Sequence, residues 1–193
     1  MATRDDLLVL LQKTSALLEG HFRLSSGLHS REYLQCALVL QHPQHAEWLG
    51  RAIAARTRDL RATVVLSPAL GGVVIGHEVA RALGVRALFA ERQDGVLVLR
   101  RGFVLGETDR VLVVEDVVTT GGSTRETMQV AAASGARVVG AASIVDRSGG
   151  RTRLEVPFEA LLDIDVPTYQ PDQCPLCAKG LPITKPGSRP IVS

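Results

Sequence analysis

Between Thr63 and Asp146 one pattern recurs: a short aliphatic run, a turn of small residues, then a longer segment with apolar positions three and four apart. The runs Thr63–Leu66, Arg86–Ala90, Val111–Val114 and Ala136–Val145 read as strands. Runs this short and this uniformly apolar predict strands buried on both faces, as in a parallel sheet. Val73–Leu83 reads as a helix, as does the segment that opens at Ser123 and runs on through Met128, Val130 and Ala133. Ser123 and Glu126 have the spacing of a capping box. Alternation of this kind predicts an α/β fold, a central mostly parallel sheet flanked by helices, with ligands at the carboxyl ends of the strands.

The flanking regions read differently. Residues from about 4 to 19 pattern as an amphipathic helix ended by Gly20, and His42–Asp59 as a second, with Trp48, Leu49, Ile53 and Ala54 on its apolar face. His42 and His45 fall on that helix as surface residues. Between the two helices, Phe22, Leu24, Tyr33 and Leu34 suggest two extended pieces around the turn Ser25-Ser26-Gly27. Gln93-Asp94-Gly95 separates two extendable runs and predicts a hairpin or flexible flap bearing Glu91, Arg92, Arg100 and Arg101. Glu159–Ile164 is a last short strand. From Thr168 on, proline, glycine and polar residues predict a surface loop and tail.

Candidate chemistry concentrates in Val111–Thr124, VLVVEDVVTTGGST. Two acids, Glu115 and Asp116, follow the aliphatic run, then a loop of glycines and hydroxyl residues, then a helix start. A strand, a glycine-rich turn and a helix N-terminus form an anion site, because free N–H groups and the helix dipole face the same point. The adjacent carboxylates suit a diol, since ionised acids accept hydrogen bonds from hydroxyls. Phosphate beside a diol describes a ribose 5-phosphate. A bare, well-capped turn is the plainer alternative, but two neighbouring acids beside an anion cradle are costly without a ligand. Neither GxxxxGK[ST] nor GxGxxG occurs, so a P-loop and a dinucleotide fold are unsupported.

Composition narrows the classes. The 193 residues suit one domain with a real core, 1–193, with a small hood at about 20–40 and a tail at about 167–193. A net charge of +2 is too small to argue for nucleic acid or a membrane surface. No apolar run reaches spanning length, and the N-terminus lacks signal-peptide features, so a cytoplasmic protein is expected. Three cysteines do not suggest a disulfide scaffold. Cys174 and Cys177 form one CxxC, half of a four-thiolate zinc site. With Cys36 it makes only three thiols, a histidine or second subunit would be needed, and the expectation is no metal in these cysteines.

EDVVTTGGST resembles the phosphoribosyl-pyrophosphate signature of the type I phosphoribosyltransferases. The resemblance spans roughly residues 20 to 150. It implies that Val117, Val118, Thr119, Thr120, Gly121, Gly122 and Ser123 hold the 5-phosphate, and that Glu115 and Asp116 hold the ribose hydroxyls. Ala69, Leu70, Gly71 and Gly72 match the family's pyrophosphate loop. The flap falls where the family carries basic residues that close over pyrophosphate, often from the neighbouring subunit; Arg92 stands at such a position, and with Asp116 it is the implied catalytic residue. Gly20, Phe22, Leu24, Ser26, Gly27, Ser30 and Tyr33 are similar to the hood pattern of orotate phosphoribosyltransferases, whose usual lysine is replaced here by Ser25. Arg147 matches an arginine that pairs with the orotate carboxylate, and Thr119 and Tyr33 complete the implied base contacts.

The implied function is transfer of phosphoribosyl from 5-phosphoribosyl 1-pyrophosphate to orotate, giving orotidine 5-phosphate and pyrophosphate in de novo pyrimidine (UMP) biosynthesis. Magnesium (Mg2+) would enter through pyrophosphate, with no direct protein ligand, and a homodimer is implied. The alternatives are a transferase for a purine or other base, and a non-enzymatic regulator that senses phosphoribosyl pyrophosphate. No basic run or appended nucleic-acid-binding segment supports the regulator.

Overall fold

The computed structural model describes residues 3–24 and 26–185. Ser25, where the family's hood lysine would stand, and the tail beyond Lys185 lie outside the described residues. In chain order the elements are α1 (Arg4–Lys13), β1 (Leu17–Arg23), β2 (His29–Leu34), α2 (Ala37–Leu40), α3 (Pro43–Thr57), β3 (Val64–Pro68) and α4 (Gly71–Leu83). Then follow β4 (Arg86–Gln93), β5 (Val96–Leu99), β6 (Arg110–Val118), α5 (Gly122–Ala133), β7 (Arg137–Asp146), β8 (Phe158–Asp163), β9 (Thr168–Tyr169) and α6 (Pro175–Ala178).

Six strands form the main sheet in the order β5-β4-β3-β6-β7-β8. All neighbours run parallel except the β4–β5 hairpin. The period-two alternation of strand side chains divides the core into two layers. Val65, Leu112, Val114, Ala142 and Ile144 face α3 and α4, packing on Leu49, Ile53, Ile75 and Val79. Val64, Leu66, Val111, Val113 and Ala141 face the other way, with Ala131 of α5. Every residue of β3 is buried, in keeping with its apolar run Val64–Leu66. β3 and β6 are neighbours, so the turns after them open at the same sheet edge.

A second, three-stranded sheet, β1-β2-β9, makes the hood. Three expectations from the sequence are corrected in this region. The first helix stops at Lys13, because the Thr14 hydroxyl bonds back to the Leu10 carbonyl (2.8 Å) and Ser15 turns left-handed at φ 56°. Leu17–Gly20 therefore belongs to β1, where Leu17 and Leu18 pair with Leu34 and Tyr33. The segment after Thr168 is not merely surface loop. β9 pairs with β2, and Thr184 bridges Phe22, donating to the His21 carbonyl (2.8 Å) and accepting from Arg23 N–H (2.9 Å). Finally, α3 starts at Pro43, and the short α2 precedes it.

α3 and α4 pack closely at Gly50. A Cβ there would meet Glu78 Cβ at 2.6 Å and its backbone carbon at 2.8 Å. Alanine is the better helix former by about 1 kcal/mol, but backbone atoms of a packed helix cannot yield, and overpacking costs typically about 1–3 kcal/mol. Gly50→Ala is therefore expected to lower the melting temperature by about 2–10 °C; an unchanged or raised value in a calorimetric scan would refute the close packing of α3 on α4.

Candidate functional site

β6 runs to Val118, longer than its aliphatic core, so Glu115 and Asp116 lie inside the strand. Val117 and Val118 are corrected from loop to strand: they pair with Val145 and Asp146 of β7. Alternation sends the two acids to opposite faces. Asp116 points toward α4, where a Cβ on Gly71 would sit 2.7 Å from its Oδ1. Only a glycine at the first position of α4 lets the carboxylate come this close to the turn. Asp116 Oδ1 also accepts from the Val117 N–H at 2.9 Å. Burial pushes the Asp116 carboxyl above its ordinary range. Glu115 is pushed up to about 8, by burial first and then by the charge of Asp116. Its Oε2 is buried without a hydrogen-bond partner among the described residues. Two largely buried acids at consecutive positions, one with an oxygen unpaired among the described residues, offer acceptors to hydroxyl donors.

The loop proper is Thr119 to Gly121. Gly121, at φ 77°, caps α5, and no side chain caps the helix. The predicted capping box does not form, because Ser123 is the second residue inside the helix rather than its cap. The first N–H groups of α5 thus keep no side-chain partner, the arrangement an anion takes at a helix start. The neighbouring turn, Ala69–Leu70, precedes α4, whose start also lacks a side-chain cap. The Ala69–Leu70 peptide is cis, and the Leu70 side chain is 87% exposed. The structure therefore brings Ala69–Gly72, Glu115, Asp116 and Thr119–Ser123 to one edge, as the sequence predicted.

Beside the loop lies a cavity of about 440 Å³. Thr119, Thr120, Arg147 and Tyr33 line it, with Leu24 and Leu28 of the hood. Tyr33 is held by Phe22, ring centroids 5.8 Å apart. Arg147 hangs from the end of β7, its N–H donating to the Val118 carbonyl at 2.8 Å. The alternative of a salt bridge to Asp146 is not realised. Asp146 Oδ1 instead accepts from Ser148 N–H (2.8 Å), and Arg147 has no ion pair among the described residues. Burial lowers the basicity of its guanidinium, which remains a cation. A partly buried, unpaired cation on a cavity wall calls for an anionic group in the cavity. Arg23, Thr168 and Lys185 also line this cavity and were missed in the sequence. Lys185 gives no local signal, since its position depends on Thr184 bridging Phe22 about 160 residues away.

The predicted flap is a tight hairpin, with Asp94 and Gly95 both left-handed at its turn. Arg92 pairs with Glu126 of α5 (2.8 Å) and donates to the Gly95 carbonyl (2.6 Å). Arg101 forks onto Glu91 through two 2.7 Å bonds and lies over Phe89. Both pairs are exposed, so they are worth at most about 1 kcal/mol and exchange readily for another anion. A larger groove, about 1120 Å³, lies between α1 and α3. It holds no residue of either glycine turn and neither Glu115 nor Asp116, so the smaller cavity is the better candidate.

A phosphoribosyl transferase domain model matches residues 38–167. The chain is 56% identical over 189 residues to the orotate phosphoribosyltransferase of Pelotomaculum thermopropionicum, covering 98% of this chain and 100% of that protein. It is 54% identical to that of Carboxydothermus hydrogenoformans, covering 95% and 97%. Among solved structures, the Mycobacterium tuberculosis orotate phosphoribosyltransferase in complex with 5-phospho-α-D-ribosyl 1-diphosphate superposes with a TM-score of 0.65 at 26% identity, over 83% of this chain and 96% of that one.

The raised Glu115 carboxyl makes a stability prediction for the ligand-free protein. A folded-state value of about 8 against an ordinary 4.5 means that its contribution is fully present below pH 4.5 and is lost as pH rises through 8. Glu115→Gln mimics the protonated form. Its melting temperature should match the wild type at and below about pH 4.5, exceed it increasingly from there to about pH 8, and stay ahead by a constant margin above that. Parallel curves across that window would contradict the desolvation of Glu115.

Proposed function

The chain belongs to the phosphoribosyl transferase family, and from that premise we propose how its residues move phosphoribosyl from 5-phosphoribosyl 1-pyrophosphate to orotate, releasing orotidine 5-phosphate and pyrophosphate. The reaction is a pentosyl transfer in pyrimidine biosynthesis. One observation carries the base assignment: the unpaired, half-buried Arg147 on the wall of a cavity that adjoins the phosphate loop.

The 5-phosphate caps the start of α5, taking hydrogen bonds from the N–H groups of the Thr119–Ser123 turn. Asp116 and Glu115 accept from the ribose hydroxyls, which fixes the ring over the sheet edge. Binding a diol here gives Glu115 Oε2 the donor it lacks. Pyrophosphate leaves over Ala69–Gly72, at the start of α4. As it leaves, the sugar becomes oxocarbenium-like, and Asp116 supplies negative potential beside it while Glu115 orients the sugar hydroxyls. Arg147 forks onto the planar carboxylate of orotate. Thr119 and Tyr33 set the ring plane, and Lys185 adds a second positive charge where the family's hood lysine is replaced by Ser25. Arg92, released from its exposed pair with Glu126, closes on the pyrophosphate and excludes water.

Magnesium would be held by the pyrophosphate rather than by side chains of this chain, and would supply charge neutralisation on the leaving group. The proposed cytoplasmic setting is supported by three free cysteines. No helix among the described residues is long and apolar enough to cross a membrane. A homodimer is proposed from the family resemblance, in which the basic flap often serves the neighbouring subunit's site. A purine transferase is the weaker reading, since a purine brings no carboxylate for Arg147. A non-catalytic sensor would not need a base cavity beside the phosphate loop.

Two measurements test this scheme. Loss of a charge-assisted pair of about 1.5–3 kcal/mol should make Arg147→Ala raise the KM for orotate by about 10–100-fold. The KM for phosphoribosyl pyrophosphate should stay within about threefold, and equal loss for both substrates would remove the base assignment. For the dimer, mixing Arg92→Ala with Asp116→Asn protein should restore activity if the hairpin serves its partner's site. Verified mixed dimers that remain inactive would make each site self-contained.

A further inference from the structure

One cluster of side chains takes no part in the transfer. His21 of β1, His29 of β2, Cys174 just before α6 and Cys177 within it bring four ligand atoms within 4.8 Å of one another. The expectation of a metal-free CxxC looked to Cys36 as a third thiol. Cys36 instead begins α2 and is buried in the main core, while two histidines complete the set.

The distances fit one ion. His21 Nε2 lies 3.1 Å from His29 Nδ1 and 3.6 Å from each sulfur, and Cys177 Sγ lies 3.2 Å from His29 Nδ1. Zinc bonds of about 2.05 Å to nitrogen and about 2.3 Å to sulfur, at tetrahedral angles, would place nitrogen atoms about 3.3 Å apart and nitrogen about 3.5 Å from sulfur. These four distances match to within a few tenths of an ångström, and the remaining two lie within 4.8 Å. The hydrogen-bonding pattern agrees. His21 Nδ1 lies 2.9 Å from the Leu181 carbonyl, so its hydrogen is used there and the Nε2 lone pair faces the cluster. His21, His29 and Cys174 are buried at 5%, 7% and 3% exposure, while Cys177 is exposed, which leaves an entry path. Two thiolates and two imidazoles around a dication are balanced in charge.

We propose that His21, His29, Cys174 and Cys177 bind one zinc ion as a structural clip between the hood and the C-terminal segment. Mixed sulfur and nitrogen ligation at tetrahedral spacing selects zinc over the hard cations that pyrophosphate carries. The clip fixes the segment that returns along β1, where Thr184 pairs with His21 and Arg23. Lys185 follows directly and lines the base cavity. This second step rests on the orotate reading above; the metal site itself does not.

The test uses the full chain, reduced and stripped with chelator, then titrated with cobalt(II) and back-titrated with zinc. The expected result is a sulfur-to-cobalt charge-transfer band and the intense visible bands of four-coordinate cobalt, saturating at about one equivalent and abolished by zinc. Cys174→Ser and His29→Ala should lose these bands, and Cys36→Ala should keep them. Zinc should also raise the melting temperature of the stripped wild type. Absence of the bands in reduced wild-type protein overturns the proposal even where a variant fails to fold. Bands that survive Cys174→Ser, or a Cys174–Cys177 disulfide that still takes up no metal once reduced, overturn it as well. Loss of orotate binding on stripping tests the Lys185 step separately: metal uptake without any change in orotate KM would keep the clip and discard that step.

Discussion

The site depends on two carboxyl groups held where water reaches them poorly. Glu115 and Asp116 sit inside a parallel strand rather than on a loop, and burial raises both. That position is unfavourable for the empty protein and favourable for a ligand that brings hydroxyls, because each hydrogen bond formed there replaces one that water supplies badly. Much else follows from keeping the acids there. Gly71 must lack a side chain, since a Cβ would strike Asp116. β3 must lie beside β6, so that the starts of α4 and α5 present their N–H groups to the same small volume. A crossed parallel sheet supplies that adjacency, which an antiparallel meander would not.

The parts that were legible in the sequence are those whose cause is local. The four main strands, α4, α5 and the Gln93-Asp94-Gly95 turn each follow from hydrophobic period or from turn residues. The glycine turn before α5 was equally plain, because a chain that turns from strand to helix with an uncapped start shows as glycines and hydroxyl residues in one run. Errors arose where local signals competed. Leu17 and Leu18 continue the apolar content of α1, and only the hydroxyls of Thr14 and Ser15 mark its end. Ser123 and Glu126 have the spacing of a capping box, yet Gly121 takes the cap position because its positive φ is what turns the chain off β6. Val117 and Val118 carry no sign of whether β6 has ended, since aliphatic residues suit both the strand and the floor of a loop.

What could not be read was long-range. The hood is assembled from three places: β1 with β2, β9, and the stretch around Thr184. Nothing near residue 170 announces that Thr168 and Tyr169 will pair with Ser30 and His29. The CxxC was visible, but its histidines lie about 150 residues upstream and eight positions apart on neighbouring strands, outside any familiar ligand spacing. The same distance hid Lys185 and Arg23 from the base cavity.

That construction sets a physical problem for the hood. β9 contributes two residues and α6 four, too few to bury much apolar surface, and the return along β1 adds only a pair of backbone hydrogen bonds. Joining segments so far apart carries a loop-closure cost that grows only slowly with length, but it still has to be met by the contacts at the ends. Among those contacts, His21, His29, Cys174 and Cys177 form the one compact polar knot, and a bond to a common ion is the strongest tie such a set can make. The base cavity, walled by residues from both the hood and β7, is then only as ordered as that tie. On this argument the two ends of the molecule differ in kind. The phosphate half of the site is made by the sheet and needs nothing further, whereas the base half is held together from outside by a clip.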